Sequence, residues 1–255
     1  MRILLTNDDG FHAAGIQTLY TALARSGAHS LTISAPERQQ SAKGHSITLF
    51  DPLFVEEHTL ANQEKGFSVR GTPADSVKIA LQGNLAAKPE VLISGINRGY
   101  NLGTDVFYSG TVSAAMEGAF LGIRSIAVSV PSISKPRFVE AAHWLDERLA
   151  LLIRLMEQIN IALLNINLPA LPAAEWKGMK VTCLGKAEYD DIFESRTDPR
   201  GRKYYWQAGT LRDVDNEETD IGAVRQGYIS LTPLHYDLTD YPQAEILKKS
   251  LAAED

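Results

Sequence analysis

The sequence has almost no cysteine, no long apolar run and no excess of basic residues. One cysteine, Cys183, among 255 residues rules out a disulfide within the chain and any zinc site built from several cysteines. No apolar run approaches the roughly 20 residues that cross a bilayer, and the start lacks a signal peptide's apolar stretch. The chain is therefore predicted to be cytoplasmic, with no membrane partner. Its net charge of −6 argues against binding to duplex nucleic acid, which requires a basic surface.

What the sequence does contain is an alternation of apolar runs and helical patterns over its first two-thirds. The predicted strands cover residues 2–6, 30–36, 90–97, 124–130 and 161–169, and the predicted helices cover residues 15–27, 71–83, 110–122 and 136–158. Continuous apolar strands separated by helices are typical of a parallel sheet that is covered on both faces. The sequence therefore predicts an α/β fold with a doubly wound, mainly parallel sheet of the Rossmann-like kind.

After residue 186 the composition becomes polar and aromatic. The segment 188–213 has the turn signal "DPRG" between two parts of similar length, which predicts a protruding β-hairpin. A two-stranded hairpin has too little core to be stable alone, so its aromatic cluster is predicted to be an intersubunit arm. The alternatives are that the hairpin folds back onto its own domain or that its rings stack on a substrate. We predict an α/β catalytic core over 1–186, and an arm with a returning helix and strand, used in oligomerisation, over 187–255.

Two adjacent carboxylates, Asp8 and Asp9, follow the first predicted strand directly. Ligands of open α/β sheets bind beyond the carboxyl ends of the strands, and the loops after two other strands carry Ser41 and Asn97. Carboxylate, hydroxyl and amide oxygens suit Mg²⁺, Mn²⁺ or Ca²⁺ rather than zinc. A divalent cation would offset the repulsion between the two aspartates. The alternative is that they only cap the next helix or form an Asx turn before Gly10.

A glycine-containing loop enters the third predicted helix at Ser109, Gly110 and Thr111. Free backbone N–H groups and the helix dipole bind phosphate at such a position, although ordinary N-capping by Ser109 or Thr111 has the same sequence pattern. The chain has no GxxxxGK[ST], no GxGxxG after the first strand and no cysteine in a phosphate loop. Hydrolysis by a metal-activated water is the phosphate chemistry that remains.

Five segments of the chain carry a family pattern: ILLTNDDG, APERQQSAKGHSIT, GTPADSVKIAL, SGINRGYNLGTDVFYSGTVSAAMEG and TDIGAVRQGYISLTPLHYDLT. In these segments, which span nearly the whole chain, the sequence resembles the SurE family of survival proteins, which are metal-dependent 5′/3′-nucleotidases. The resemblance implies one divalent cation per subunit, Mg²⁺ or Mn²⁺, held by Asp8, Asp9, Ser41 and Asn97. One departure is Ala42, because the family pattern has glycine after the ligand serine.

The remaining site predictions rest on the same motifs. We predict catalytic roles for Asp8, Asp9 and Asn97, and phosphate binding by Asn7, Ser109, Gly110 and Thr111. The resemblance implies a phosphomonoesterase that converts nucleoside 5′- and 3′-monophosphates to nucleoside and phosphate, with short polyphosphate as a further substrate. It also implies a homodimer or homotetramer that exchanges C-terminal elements.

Two other functional classes share parts of this sequence pattern. A non-catalytic nucleotide or phosphate sensor would use the same loops without turnover, and phosphate release in the presence of a divalent metal separates the two classes. A phosphorylated receiver domain would also begin with paired acids. That reading is rejected because the chain has Asn97 where such a domain needs a phosphoacceptor aspartate.

Overall fold

A nine-stranded mixed sheet forms the centre of the structure, a computed structural model that describes residues 1–132, 137–186, 189–190, 193–208, 210–211 and 218–252. The strands of the chain are β1 (Arg2–Thr6), β2 (Ser30–Pro36), β3 (Phe54–Thr59), β4 (Lys65–Arg70), β5 (Val91–Arg98), β6 (Arg124–Val130), β7 (Leu163–Asn167), β8 (Met179–Val181), β9 (Tyr189–Asp190), β10 (Phe193–Thr197), β11 (Lys203–Gln207), β12 (Thr210–Leu211) and β13 (Ile229–Leu234). The order in the central sheet is β3-β4-β2-β1-β5-β6-β7-β13-β8. The six strands from β4 to β7 are parallel, whereas β3 and β13 run antiparallel to their neighbours β4 and β7.

Helices cover both faces of this sheet. The helices of the described ranges are α1 (Ala14–Ala24), α2 (Pro73–Gln82), α3 (Gly110–Phe120), α4 (Phe138–Gln158), α5 (Asp220–Arg225) and α6 (Tyr241–Leu251), of which α1 to α4 pack on the sheet. Strand side chains alternate between the faces: Ile3 and Leu5 join the apolar cluster under α1 and α4, and Leu4 joins the cluster under α2 and α3. The prediction of a doubly wound, mainly parallel sheet is confirmed.

The elements that the sequence did not predict lie mostly at the surface. Strand β3 is an edge strand with the polar sequence FVEEHT, and helix α6 has no buried residue among those described. Neither element therefore shows the strong burial pattern on which the strand and helix predictions depended. Strands β4 and β8 were also missed. The first residue of the predicted helix 136–158 lies outside the described residues, and the helix begins at Phe138.

The polar, aromatic segment forms the predicted hairpin. Strands β10 and β11 pair antiparallel from Phe193 opposite Gln207 to Thr197 opposite Lys203, and the Asp198 carboxylate accepts from the N–H groups of the turn. Residues 188, 191–192, 209 and 212–213 of the predicted hairpin lie outside the described residues. Strand β13 pairs with β7 and β8 in the central sheet, so the returning strand is a member of that sheet. The division of the chain at residue 186 stays a prediction.

The topology fixes where a ligand can bind. In the strand order, β2 and β4 lie on one side of β1, and the chain then crosses over to β5, which lies on the other side of β1. The loops after β1 and β5 therefore diverge at their carboxyl ends and leave a crevice, which is the usual ligand position in open α/β sheets.

Candidate active site

The loop after β1 begins with Asn7, whose side chain is buried. Its Nδ2 donates to the Gly10 carbonyl at 2.9 Å, and its Oδ1 accepts from the Gly10 N–H at 3.1 Å. These bonds close a turn in which Gly10 has a φ of 109°, a conformation that other residues rarely adopt. The Asx-type turn is thus made by Asn7, and it presents Asp8 and Asp9. Contact between Asn7 and a phosphate stays a prediction.

Asp8 is buried against the N-terminus of α3. Only 6% of its surface is exposed, and its Oδ1 accepts a hydrogen bond from the fully buried Thr111 hydroxyl. Burial raises the pKa of Asp8 to about 6, the Thr111 bond opposes that rise, and the neighbouring Asp9 charge adds to it. The helix can approach this closely because residue 110 is glycine: a Cβ there would lie 2.6 Å from the Asp8 Cβ.

Asp9 is half-buried and is held by two donors. The Gln39 side chain donates to its Oδ1 at 3.2 Å, and the Arg98 backbone N–H donates to its Oδ2 at 3.4 Å. Burial also raises the pKa of Asp9, against these two bonds. Gln39 was not among the site residues predicted from the sequence. Its position in the loop after β2, two residues before Ser41, was the feature of the sequence that could have identified it.

Asn97 reaches the same edge of the sheet through a bulge in β5. Two residues of β5, Gly95 and Ile96, lie opposite one residue of β6, and the register resumes at Asn97. The Asn97 Nδ2 donates to the Gly99 carbonyl at 2.9 Å. Its Oδ1 accepts no hydrogen bond from the described part of the chain, so this amide oxygen is available to a ligand.

Ser41 lies on an exposed loop that is tied to the turn after β1. The N–H of the preceding residue, Gln40, donates to the Asp8 carbonyl at 2.7 Å. Ala42 has a φ of 55°, a left-handed conformation that favours glycine, which is the residue in the family pattern. Ser41 makes no hydrogen bond to Asp8 or Asp9 within the described ranges. Its role as a ligand stays a prediction.

These residues fit a hard divalent cation. Two neighbouring carboxylates with raised pKa values form an anionic site whose charge a cation would neutralise. No group of three or more His, Cys, Asp or Glu residues that could hold a metal occurs among the described residues. Among the described residues, any further ligands would therefore be neutral oxygens, such as those of Asn97 and Ser41, which suit Mg²⁺ or Mn²⁺ better than zinc.

The N-terminus of α3 faces the Asp8 carboxylate. Ser109 is the N-cap, and its Oγ accepts a hydrogen bond from the Val112 N–H at 3.0 Å. In this bond the Ser109 hydroxyl is the acceptor, so the hydroxyl can still donate a hydrogen bond to a ligand. The Thr111 hydroxyl has the partner Asp8, which the sequence did not predict. The N–H groups of Gly110 and Thr111 belong to the first turn, where a helix supplies no acceptor. Phosphate binding by residues 109–111 stays a prediction.

A buried polar network supports the loop after β5, and sequence analysis missed it. Asn101 donates to Ser129 Oγ at 2.8 Å, and its carbonyl accepts from Asn165 and Asn167 at 2.8 and 3.0 Å. The Asp220 carboxylate holds the same loop through the Gly103 N–H at 2.7 Å. The signal in the sequence was "NIN" in β7, two amides in an otherwise apolar strand.

Known proteins resemble this chain over its whole length. The family model described as survival protein SurE matches residues 3–191. A 5′-nucleotidase SurE of Desulfitobacterium hafniense (strain DSM 10664 / DCB-2) is 54% identical over 255 residues, which are 100% of this chain and 99% of that protein. A 5′-nucleotidase SurE of Heliobacterium modesticaldum is 50% identical over 94% of this chain and 88% of that protein. The crystal structure of a SurE protein from Aquifex aeolicus has a TM-score of 0.81 and 38% identity over 100% of both chains.

Proposed function

The chain belongs to the survival protein SurE family, and we propose that it acts as a divalent-metal-dependent 5′-nucleotidase at the crevice between β1 and β5. It is a phosphoric monoester hydrolase that releases phosphate from nucleoside monophosphates. The resemblance predicted from the sequence is thereby confirmed. The observation that carries the proposed site is a pair of adjacent carboxylates with raised pKa values, of which Asp8 packs against the N-terminus of α3 and Asp9 accepts from Gln39 and the Arg98 N–H.

Asp8, Asp9, Ser41 and Asn97 would hold one cation, Mg²⁺ or Mn²⁺. When bound, such a cation activates a water as the nucleophile and polarises the phosphoryl oxygen. The chain fixes its two carboxylates beforehand: Thr111 holds Asp8, and Gln39 with the Arg98 N–H holds Asp9. This arrangement removes most of the side-chain freedom that binding would otherwise have to restrict.

The phosphoryl group would bind at the start of α3. Ser109 offers its hydroxyl proton, and Gly110 offers its backbone N–H at the positive end of the helix dipole. The Thr111 hydroxyl donates to Asp8 instead, so its loss should weaken metal binding as well as turnover. A site of this kind places the anionic ester beside the carboxylates that hold the cation.

The chain's other predicted properties are proposals of the same kind. We expect 3′-nucleotides and short polyphosphate to be further substrates, and a homodimer or homotetramer to form through the hairpin. The hairpin strands β10 and β11 are exposed along their whole length, and Tyr205 and Trp206 are 62% and 59% exposed. No helix of the described ranges is long and apolar enough to span a membrane.

A panel of nucleoside 5′- and 3′-monophosphates and short polyphosphate, assayed for phosphate release after chelation and with Mg²⁺, Mn²⁺ or Ca²⁺ added back, tests the proposal. We expect release with Mg²⁺ or Mn²⁺, none after chelation, and one Mn²⁺ bound per chain in calorimetry. Asp9→Asn should abolish release and Mn²⁺ binding, whereas exposed Asp51→Asn should match the wild type. Nucleotide binding without phosphate release would contradict the proposal and favour the sensor.

A further inference from the structure

The loop that carries Ser41 is joined to α3 by a side-chain hydrogen bond that the predicted site does not include. Glu117 of α3 is only 5% exposed, and the His45 Nε2 lies 2.8 Å from its Oε2. Because a carboxylate can only accept, the Nε2 carries the proton of this bond. Lys78 of α2 lies 3.6 Å from the other oxygen of Glu117. The bond from His45 is the main cause that holds the pKa of Glu117 below its ordinary value, so this carboxylate is charged.

The His45 ring is also fixed by packing. It stacks on Phe120 with the ring centroids 5.0 Å apart and an interplanar angle of 12°. On the same Phe120 ring, Tyr236 packs edge-on at 4.8 Å. His45 therefore has a polar partner at one edge and an aromatic partner on its face. This double restraint distinguishes His45 from a solvated surface histidine, which would have neither.

The hydrogen bond between His45 and Glu117 connects two parts of the proposed metal site. His45 lies four residues after Ser41, and the intervening Gly44 donates its N–H to the Tyr108 carbonyl at 3.1 Å. Glu117 lies six residues after Thr111 in the same helix, about 9 Å along its axis. Helix α3 thus holds Asp8 through one end and the Ser41 loop through its middle. A rigid helix sets the distance between these two attachments.

We propose that His45 is a positioning residue of the metal site, which holds Ser41 in place relative to Asp8 by donating a hydrogen bond to Glu117. The inference rests on the proposed function, since it gives Ser41 a cation to bind. Ser41 is exposed and is followed by a left-handed alanine, and the His45 bond adds a side-chain anchor to the backbone bonds that Gln40 and Gly44 already give its loop. Without this anchor, a smaller fraction of the molecules has the loop in its metal-binding geometry. The apparent metal affinity falls in proportion to that fraction.

Two substitutions separate the hydrogen bond from the ring packing. His45→Phe retains a ring to stack on Phe120 but cannot donate to Glu117, and His45→Gln can donate but has no ring. We expect His45→Phe to raise the Kd for Mn²⁺ about tenfold, which is typical when the support of a ligand is lost. His45→Gln should stay within about threefold of the wild type. At saturating Mn²⁺, kcat of His45→Phe should fall less than the affinity does.

Thr48→Val is the matched control. Like His45→Phe, it removes a side-chain hydrogen bond to a buried carboxylate, but at the end of the loop that is farther from Ser41. The Thr48 hydroxyl donates to Asp75 at 2.6 Å. Calorimetry with Mn²⁺ and the unfolding midpoint of the metal-free protein are measured for all variants. Thr48→Val should lower the midpoint and leave Mn²⁺ affinity near that of the wild type.

Three results would overturn the inference. They are an unchanged Kd in His45→Phe, a Kd that rises equally in His45→Phe and His45→Gln, or a rise in Thr48→Val equal to that in His45→Phe, which would show that any loosening of the loop weakens binding. A wild-type protein that neither binds Mn²⁺ nor releases phosphate would instead overturn the proposed function, and the inference with it. Wild-type measurements in the same series therefore tell the two failures apart.

Discussion

Replacement of Asp8 by asparagine should make the metal-free protein more stable while it abolishes hydrolysis. Asp8 is 6% exposed, and its neighbour Asp9 carries the same charge. Folding therefore places a carboxylate in an environment that disfavours its ionised form. Asparagine has nearly the same shape and can still accept from Thr111, but it carries no charge to desolvate.

The size of the effect follows from the pKa of Asp8. Burial raises this pKa from 3.8 to about 6, and each unit corresponds to about 1.4 kcal/mol between the two protonation states. Ionised Asp8 should therefore lower the free energy of unfolding by about 3 kcal/mol at pH 8. For a chain of this length, that change corresponds to an increase of about 6–12 °C in Tm for the variant.

The sign of the pH dependence is also fixed. Well below pH 4, Asp8 is protonated in both the folded and the unfolded state, so the variant and the wild type should be about equally stable. Between pH 4 and pH 6, the unfolded chain releases the proton while the folded chain keeps it, so the wild type loses stability as the pH rises. Above pH 6 the difference in stability between variant and wild type should stay constant.

Urea unfolding in the presence of a chelator, measured from pH 4 to pH 8, gives this difference directly. Asp51→Asn, a change at an exposed aspartate, is the control and should show no such trend. Added Mn²⁺ should stabilise the wild type, by about 2.7 kcal/mol at a concentration 100 times its Kd, and should not stabilise Asp8→Asn. A stability difference that is absent at pH 8, or that does not change with pH, would refute the reasoning from burial. Hydrolysis by Asp8→Asn at the wild-type rate would refute the metal-site proposal.

Three further changes test other parts of the structure. Gly110→Ala should abolish Mn²⁺ binding in calorimetry without loss of the fold, because the new Cβ would lie 2.6 Å from the Asp8 Cβ; normal affinity would contradict this steric argument. Ala42→Gly should raise the free energy of unfolding by about 1 kcal/mol, because residue 42 has a φ of 55°, and an unchanged urea midpoint would count against strain there. Replacement of Arg196–Gln207 by a short Gly-Ser turn should give a smaller species in sedimentation with Mn²⁺ binding retained. An oligomer of unchanged size would rule out the intersubunit arm.

The sequence alone was sufficient for the parts of this protein that depend on local pattern. Runs such as "RILLT" and "RSIAVSV" are apolar throughout, which is what burial on both faces of a parallel sheet requires. The predicted helix 71–83 is present, and it begins in a capping box that Thr72 forms with Asp75. Because strand ends can be located from such runs, the positions of Asp8, Asp9 and Asn97 at one edge of the sheet followed from the sequence.

Tertiary structure alone decided which polar groups contact one another. Thr111 was predicted to bind phosphate, but its hydroxyl donates to Asp8, 103 residues earlier in the chain. Gln39 and Asp9 are 30 residues apart, and His45 and Glu117 are 72 residues apart. Periodicity in a sequence reports which face of an element is buried, but it carries no information on what that face meets. The partner of a polar side chain is fixed only when the sheet order brings distant loops together, because hydrogen bonds act over about 3 Å.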